Sequence, residues 1–546
     1  YHEATTLGFG LVNKFGNFFI PYDVVHQSLA MQMYLSDEAI KKNVFNAKMM
    51  KVVLKRDGYE LNGVEFDLLL AAYILNPNNT KEDFRVVVSN FEYDDVSYLE
   101  EVYQKGVKYS VPSIDKYSLY AVKKAKAIKE LKKEMIKELK TNNQYDLFYN
   151  IELPLSSVLA SMESTGINVD MGLLHKLNYE NKEKIDKLVL EIHSLAGVEF
   201  NVSSPKQLGE VLFDKLNLPY AKKTKTGYST NVDILNKLRH HHPIIEKVMT
   251  YRTLSKLYST YIVGLENSVL SDGKIHTIYR QAFTSTGRLS SVEPNLQNIP
   301  IRYAEGREIR KVFIPQKGNL LLASDYSQIE LRVLADMANE ETLIKAFNNN
   351  EDIHTMTAKQ IFDKDEISSL ERRQAKAVNF GIIYGQSAWG LSEEININPK
   401  DAEKFITKYY ERFNGIKVFM DKVVGDTKRL GYAETIYNRR RYIPELNSSI
   451  YMQREAGKRN AMNAPIQGSA ADIIKIAMIK IYDEMNKLKL KSKLLLQIHD
   501  ELVFEVDKDE IDLMEKLVVE VMENCISLKV PLKVDESMGK NLFETK

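Results

Sequence analysis

The chain has 546 residues, with 75 Lys and Arg against 74 Asp and Glu and a formal net charge of +1. Such a length exceeds what one hydrophobic core usually serves, so two or more domains are expected, while the balanced charge carries no argument about nucleic acid. A single cysteine, Cys525, excludes an internal disulfide and favours a reducing, intracellular setting, and no apolar run reaches the roughly 18 to 20 residues that span a bilayer. The chain starts at Tyr1 rather than Met, with no signal-like start, and is expected to be a fragment or a processed product.

In chain order, Gly8 to Pro21 reads as a β-hairpin turning near Gly16-Asn17. The apolar run Phe66 to Leu75 and mixed helical segments extend an α/β domain to about Asn143. Its last helix, Tyr117 to Leu139, interleaves Lys with Glu130, Glu134 and Glu138, the pattern of a solvated helix. A second domain is expected from about Tyr149, opening with an amphipathic helix that closes at Gly166 and a long charged helix from Gly172 to about Ala196. Between Asn201 and Thr260 stand ten basic residues, Lys256 among them, and four acidic ones. That local excess would favour a polyanion, and a solvated helical face is the competing reading. The loop Lys222 to Thr230 offers Ser, Thr and Lys donors suited to phosphate contacts. Thr284 to Arg288 and Glu293 to Arg302 are rich in side-chain amides and Arg, groups that can donate to the minor-groove acceptors adenine N3 and thymine O2. Ordinary turn-forming polar residues remain the alternative.

Two later stretches carry acids where strands should simply end. Leu494 to Ile498 and Leu502 to Phe504 read as two buried strands with His499, Asp500 and Glu501 at their tip. Leu320 to Ala323 reads as another buried strand, ended by Asp325. Neighbouring carboxylates repel unless protons or a cation compensate them. If the strands are neighbours, Asp325 and Asp500 project from adjacent ends and suit Mg²⁺, a hard cation that prefers oxygen ligands. For each acid alone, a solvated strand end is the commoner situation.

Ser368-Ser-Leu-Glu371 is a capping box, so a helix should start there. Arg372, Lys376 and Phe380 follow at four-residue spacing, on one slowly drifting face, with Tyr384 after Gly381. Two cations and a ring in one stripe suit a triphosphate with a base stacked at its far end. His354 can add a donor, although a lone histidine is more often structural.

These stretches, "DYSQIELR" (325 to 332), "RRQAKAVNFGIIYG" (372 to 385) and "QIHDEL" (497 to 502), resemble the three polymerase motifs of the A family of DNA polymerases, and the similarity runs from end to end of the chain. The resemblance implies an α/β exonuclease-like domain of RNase H-like fold over residues 1–148. An α+β right-hand polymerase domain would follow over 149–546, its thumb near 168–258, its fingers near 331–443 and its palm the remainder. It further implies that Asp325 and Asp500 bind two Mg²⁺ ions, for which Mn²⁺ can substitute, with the Tyr326 carbonyl assisting and Glu501 nearby. Arg372, Lys376 and His354 would hold the triphosphate of a dNTP, Lys376 also protonating the leaving pyrophosphate. Phe380, Tyr384 and Gln328 would belong to the nucleotide site, and Glu330 would exclude a ribose 2′-hydroxyl. Arg288, Asn295, Gln297, Arg459, Asn463, Gln467, His499 and Lys256 would contact primer-template DNA. By the same resemblance the protein is a DNA-directed DNA polymerase of replication and repair, a monomer in the bacterial cytoplasm at the nucleoid. A 3′ exonuclease and a non-catalytic DNA-binding relic are the alternatives.

The first domain departs from the proofreading pattern of that family, which uses Asp-x-Glu, a further Asp and Tyr-x-x-x-Asp as metal ligands. Between Tyr1 and Asn150 there is no Asp-x-Glu and no Tyr-x-x-x-Asp; four residues after Tyr120 stands Lys124, a cation where a cation ligand belongs. The expectation is a retained fold without nuclease activity.

Overall fold

The computed structural model describes residues 1–78, 81–220, 222–225, 227–300 and 304–546. Thr226 of the basic loop, and Ile301 and Arg302 at the end of the amide-rich run, lie outside the described residues. The chain forms two compact units: Tyr1–Thr165 with Ile278–Val292 and Leu322–Ser537, and Gly166–Thr277 with Glu293–Leu321 and Met538–Lys546. Among the described residues no helix is long and apolar enough to cross a membrane.

In the first unit, β1 (Gly8–Val12) and β2 (Asn17–Pro21) form the expected antiparallel hairpin, with Phe9 opposite Ile20. A parallel pair follows, β3 (Lys42–Val44) beside β4 (Val64–Asp67). Asp67 ends β4 and caps α1 (Leu68–Leu75), accepting from the Leu69 N–H at 3.0 Å. All eight residues of α1 are buried, which is why its sequence is apolar without a period. They pack with Phe84, Val88, Leu131 and Phe148, and with Ala282 from much later in the chain. The charged helix, α2 (Ile114–Thr141), runs slightly beyond its expected ends; Tyr120, Ala127, Leu131, Met135 and Leu139 form its buried stripe. Next comes α3 (Leu153–Thr165), closed by Gly166 at φ +63°.

The remaining elements of this unit include a short antiparallel pair, β5 (Ile278–Arg280) with β6 (Ser290–Val292), and the strand β7 (Leu320–Tyr326). Among the helices that follow are α4 (Ile329–Ala338), α5 (Ile353–Phe362) and α6 (Ser369–Ile383). After them come the hairpin β8 (Tyr432–Glu434) and β9 (Arg440–Tyr442), and the long α7 (Tyr451–Lys487). Strands β10 (Lys493–Ile498), β11 (Glu501–Val506) and β12 (Val534–Gly539) complete a four-stranded sheet in the order β10, β11, β7, β12. Every residue of β10 and β11 except Lys493 is buried, so these strands read as continuous apolar runs rather than alternating ones.

The second unit has its own core, built from Ile192, Leu208, Leu212, Phe213, Leu238, Ile245 and Val248. Its helix Met171–Ala196 is capped by Asp170, which accepts from the Leu173 N–H at 2.9 Å, and ends at Gly197 with φ +65°. Strands Phe313–Ile314, Ile167–Val169 and Lys274–Ile275 form a small sheet in that order.

A buried ionic network ties distant segments of the first unit together. Glu152, just before α3, receives hydrogen bonds from Arg439 Nη2, from Lys475 Nζ at 2.7 Å and from Gln281 Nε2 at 2.6 Å. Asp472 accepts from Arg439 Nε at 2.9 Å and from Thr435 Oγ1 at 3.0 Å. Two acids and two bases cancel in charge, and each is less than 5 % exposed. Burial alone would push the Glu152 carboxyl up; the charges of Lys475 and Arg439 outweigh it and bring it from 4.5 down to about 2. A folded value below the unfolded one gives stabilisation that is present above pH 4.5 and lost as the pH falls toward 2. Glu152→Ala, which takes the acceptor from buried Lys475 and leaves Arg439 with Asp472 alone, is expected to lower the unfolding free energy by about 3–5 kcal/mol at pH 7 in urea titrations. The gap between variant and wild type should close between pH 4.5 and 2.

Candidate active site

The two predicted strand-end acids meet. Strands β7 and β11 are neighbours in the sheet, and the Tyr326 N–H donates to the Asp500 carbonyl at 3.1 Å, clasping the residue after Asp325 to the turn that carries Asp500. That turn needs an unusual backbone: His499 sits at φ +56°, with Gln497 Nε2 donating to its carbonyl. Burial raises the Asp500 carboxyl, and the like charge of Asp325 raises it further, while Arg288 and His499 oppose the shift. Glu501, the first residue of β11, is 3 % exposed. Among the described residues no three His, Cys, Asp or Glu side chains are gathered as a metal-binding group.

Tyr326 is buried, its hydroxyl donating to the Met522 carbonyl at 2.7 Å and lying 3.4 Å from Cys525 Sγ. Gln328, half-buried at φ +54°, precedes α4. Glu330, on the first turn of α4, accepts from Arg288 Nη2 at 2.6 Å and is 5 % exposed. Burial raises its carboxyl; Arg288 pulls it down and Asp500 pushes it up. Tyr384 faces the same group, and burial together with Glu330 raises its hydroxyl from 10.0 to about 12. A connected set of charges therefore runs from Asp325 through Asp500, Arg288 and Glu330 to Tyr384.

Helix α6 carries the ladder. Ser368 and Glu371 form the expected capping box, and Tyr384 closes the helix before Gly385 at φ +59°. Ala375, Ala377, Val378, Ile382 and Ile383 are buried, leaving Arg372, Lys376 and Tyr384 exposed and Phe380 half-buried. Asp352 holds Arg372 through two hydrogen bonds of 2.9 and 2.7 Å. His354 on α5 is buried, its Nδ1 lying 3.0 Å from Asn379 Nδ2 and its ring 6.0 Å from that of Phe380. Assigning the Asn379 amide as donor makes Nδ1 the acceptor and leaves the proton on Nε2.

On α7, Arg459, Asn463 and Gln467 recur at four-residue spacing, exposed, buried and half-buried in turn. Asn463 Nδ2 donates to the Ile383 carbonyl at 3.4 Å, and Gly385 lies so close that an added Cβ would stand 3.0 Å from Arg459 Cγ. The end of the ladder helix thus rests on this face. Asn295, Gln297 and Lys256 belong to the second unit: Asn295 accepts from the Gln297 N–H at 3.0 Å, and Lys256 is exposed in the last turn of the helix Ile244–Leu257.

Comparison with known proteins gives this geometry a family. The model of DNA polymerase family A matches residues 171–544, and that of the DNA polymerase I ribonuclease H-like domain matches residues 1–131. The chain belongs to DNA polymerase family A. It is 50 % identical over 550 residues to DNA polymerase I of Bacillus subtilis (strain 168), covering 100 % of this chain and 62 % of that protein. DNA polymerase I of Geobacillus stearothermophilus is 48 % identical, at 100 % and 63 % coverage. The chain thus spans about three-fifths of these curated relatives. The solved POL domain of Pol1 from M. smegmatis, in complex with DNA primer-template and dNTP, superposes with a TM-score of 0.89 at 38 % identity, over 98 % of this chain and 92 % of that one. The fold class is accordingly an RNase H-like exonuclease domain followed by a right-hand polymerase domain of family A.

Family A membership carries a divalent-metal requirement. The donors present fit it: Asp500, raised first by burial and further by the charge of Asp325, forms with it a pair of carboxylates that a hard cation compensates. Sequence reasoning missed the pairing of Arg288 with Glu330, two residues it assigned to different ligands. It also missed the Arg439 network, whose only signal was Asp472 and Lys475 inside the apolar run of α7.

Burial, with Lys376 close by, lowers His354 from 6.5 to about 4, against the pull of Asp352. The imidazole is thus neutral at pH 7. Its depressed folded value means that folding is favoured above pH 6.5 and loses this contribution as the pH falls toward 4. In proton NMR the ring signal absent from His354→Gln should titrate near 4; a midpoint near 6.5 would show a solvated ring.

Proposed function

We propose that this chain is a template-directed DNA polymerase that adds dNMP from a dNTP to a primer 3′-hydroxyl with release of pyrophosphate. One observation carries the reading: Asp325 and Asp500, clasped at neighbouring strand ends, are linked through Arg288, Glu330 and Tyr384 to the helix that presents Arg372 and Lys376. The DNA and dNTP bound by the M. smegmatis relative support the choice of substrates. In domain terms we assign residues 1–148 to the exonuclease-like domain and 149–546 to the polymerase, with the thumb near 168–258 and the fingers near 331–443.

Asp325 and Asp500 would hold Mg²⁺, with the Tyr326 carbonyl and Glu501 in support. When bound, two such ions acidify the primer hydroxyl and neutralise the departing pyrophosphate, an arrangement for which polymerases are a standing example. Arg372 and Lys376 bind the triphosphate, Arg372 exchanging Asp352 for phosphate, and neutral His354 donates from Nε2. Lys376 gives a proton to the pyrophosphate as it leaves. Phe380 and Tyr384 pack the incoming base and sugar, with Gln328 at the edge of the site. Buried Glu330 rejects a ribose 2′-hydroxyl by clash and by desolvating it. Arg288, Asn295, Gln297, Arg459, Asn463, Gln467, His499 and Lys256 hold primer-template. Closure of α6 over a correctly shaped pair then selects the nucleotide by induced fit.

Primer extension with dNTPs and Mg²⁺ tests the reading. The wild type is expected to extend, EDTA to stop it and added Mg²⁺ to restore it. Asp325→Ala or Asp500→Ala should forfeit several kcal/mol of transition-state stabilisation, about a thousandfold in kcat. A wild type that leaves a primed template untouched would end the proposal.

We also infer that the first domain has lost its nuclease. Lys124, standing where a metal-binding acid is needed, packs against the rings of Phe45, Phe84 and Tyr120 at 5.8, 5.1 and 5.4 Å, and burial lowers its amine to about 8. Asp67 is occupied as a cap, accepting from the backbone of Asn46, Ala47 and Leu69. With Mg²⁺ and no dNTP, a 5′-labelled strand should keep its length; shortening from the 3′ end that persists in Asp325→Ala refutes this.

A further inference from the structure

Tyr73 lies in the middle of α1, 2 % exposed, within the exonuclease-like segment. Its hydroxyl leaves that core and donates to the Thr284 carbonyl at 2.7 Å. Thr284 opens the turn that ends at Arg288, and its Oγ1 donates to the Arg288 carbonyl at 2.7 Å. The turn is thus clamped at both ends: Tyr73 holds the first carbonyl and Thr284 the last. Its floor is Arg439. Gly287, at φ +85°, lies against that side chain, where an added Cβ would stand 2.5 Å from Nε. Arg439 is itself fixed by Asp472 and Glu152, and its guanidinium lies 5.9 Å from the centre of the Tyr73 ring. On the far side, Thr286 abuts α7, its carbonyl 3.1 Å from where a Cβ on Gly468 would be. The one long side chain that the turn releases is Arg288, which reaches Glu330 at 2.6 Å and faces Asp500.

We propose that Tyr73 is a positioning residue for polymerisation: through Thr284 it sets the turn that aims Arg288, so a domain without nuclease chemistry still serves the polymerase site. The inference rests on the polymerase reading above. It also accounts for where the first segment's core ends: the cluster around α1 takes in Ala282 and packs against Tyr437, Ile476 and Ile479, all from the polymerase portion of the chain. Tyr73 does not touch the reacting atoms. Its effect passes through a main-chain carbonyl, so truncating the hydroxyl leaves a packed ring and a less restrained turn, and loses one hydrogen bond from a half-buried acceptor that water can reach.

Single-nucleotide incorporation on primed DNA tests this, with kcat and KM for dNTP measured for wild type, Tyr73→Phe, Thr284→Val, Arg288→Lys and the Tyr73→Phe/Arg288→Lys double variant. Tyr73→Phe and Thr284→Val are each expected to lower kcat about fivefold to tenfold, with KM within twofold and melting temperature unchanged. The double variant should be no slower than Arg288→Lys alone, because both changes act on one guanidinium. Wild-type kcat in Tyr73→Phe, or losses that multiply in the double variant, would overturn the proposal. An inert wild type would instead remove the polymerase reading on which it stands.

Discussion

Two carboxylates from distant parts of the chain are held where like charges resist being held, by neighbouring strands of one sheet and a main-chain hydrogen bond between them. The Tyr326 N–H to Asp500 carbonyl contact joins a central strand to the tip of the neighbouring hairpin. It belongs to the backbone, so it persists whatever the side chains' charge. Burial raises the Asp500 carboxyl, and the repulsion from Asp325 adds to that rise. Arg288 relieves part of it, and the geometry leaves the remainder for a divalent cation. Glu330 and Tyr384 take their environment from the same set of charges.

Such a set can be stable only on a rigid base. The network of Glu152, Arg439, Asp472 and Lys475 lies beneath the turn that carries Arg288, charge-neutral and removed from water. Replacing a network of this kind with packed apolar residues often costs little, so stability alone does not explain it. Its members come from the start of α3, the β8–β9 turn and α7, and they fix those three segments in one register. Specificity of arrangement is the better account of its presence.

Local features were legible in the sequence because local chemistry determines them. The capping box at Ser368, the hairpin before Pro21, the buried strands at 320 and 494 and the four-residue ladder of α6 all form as their patterns imply. Pairing Asp325 with Asp500 required only that two strands be neighbours. What could not be read was partnership across the fold. Arg439 sits in an Arg-Arg-Arg run that looks like an exposed basic patch, yet it is buried and bonded to Glu152, 287 residues away. Tyr73 looks like one more apolar position in α1, because nothing nearby announces a carbonyl 211 residues on.

The single thiol of the chain offers a window on this machinery. Cys525 is buried against β7, its Sγ beside the Tyr326 hydroxyl, and burial keeps it protonated. Oxidants and alkylating reagents act on the exposed thiolate, so the residue is shielded from both while the sheet stays closed. Its modification would therefore report the opening of the layer that carries Asp325, from a position that touches neither nucleotide nor DNA in the arrangement proposed.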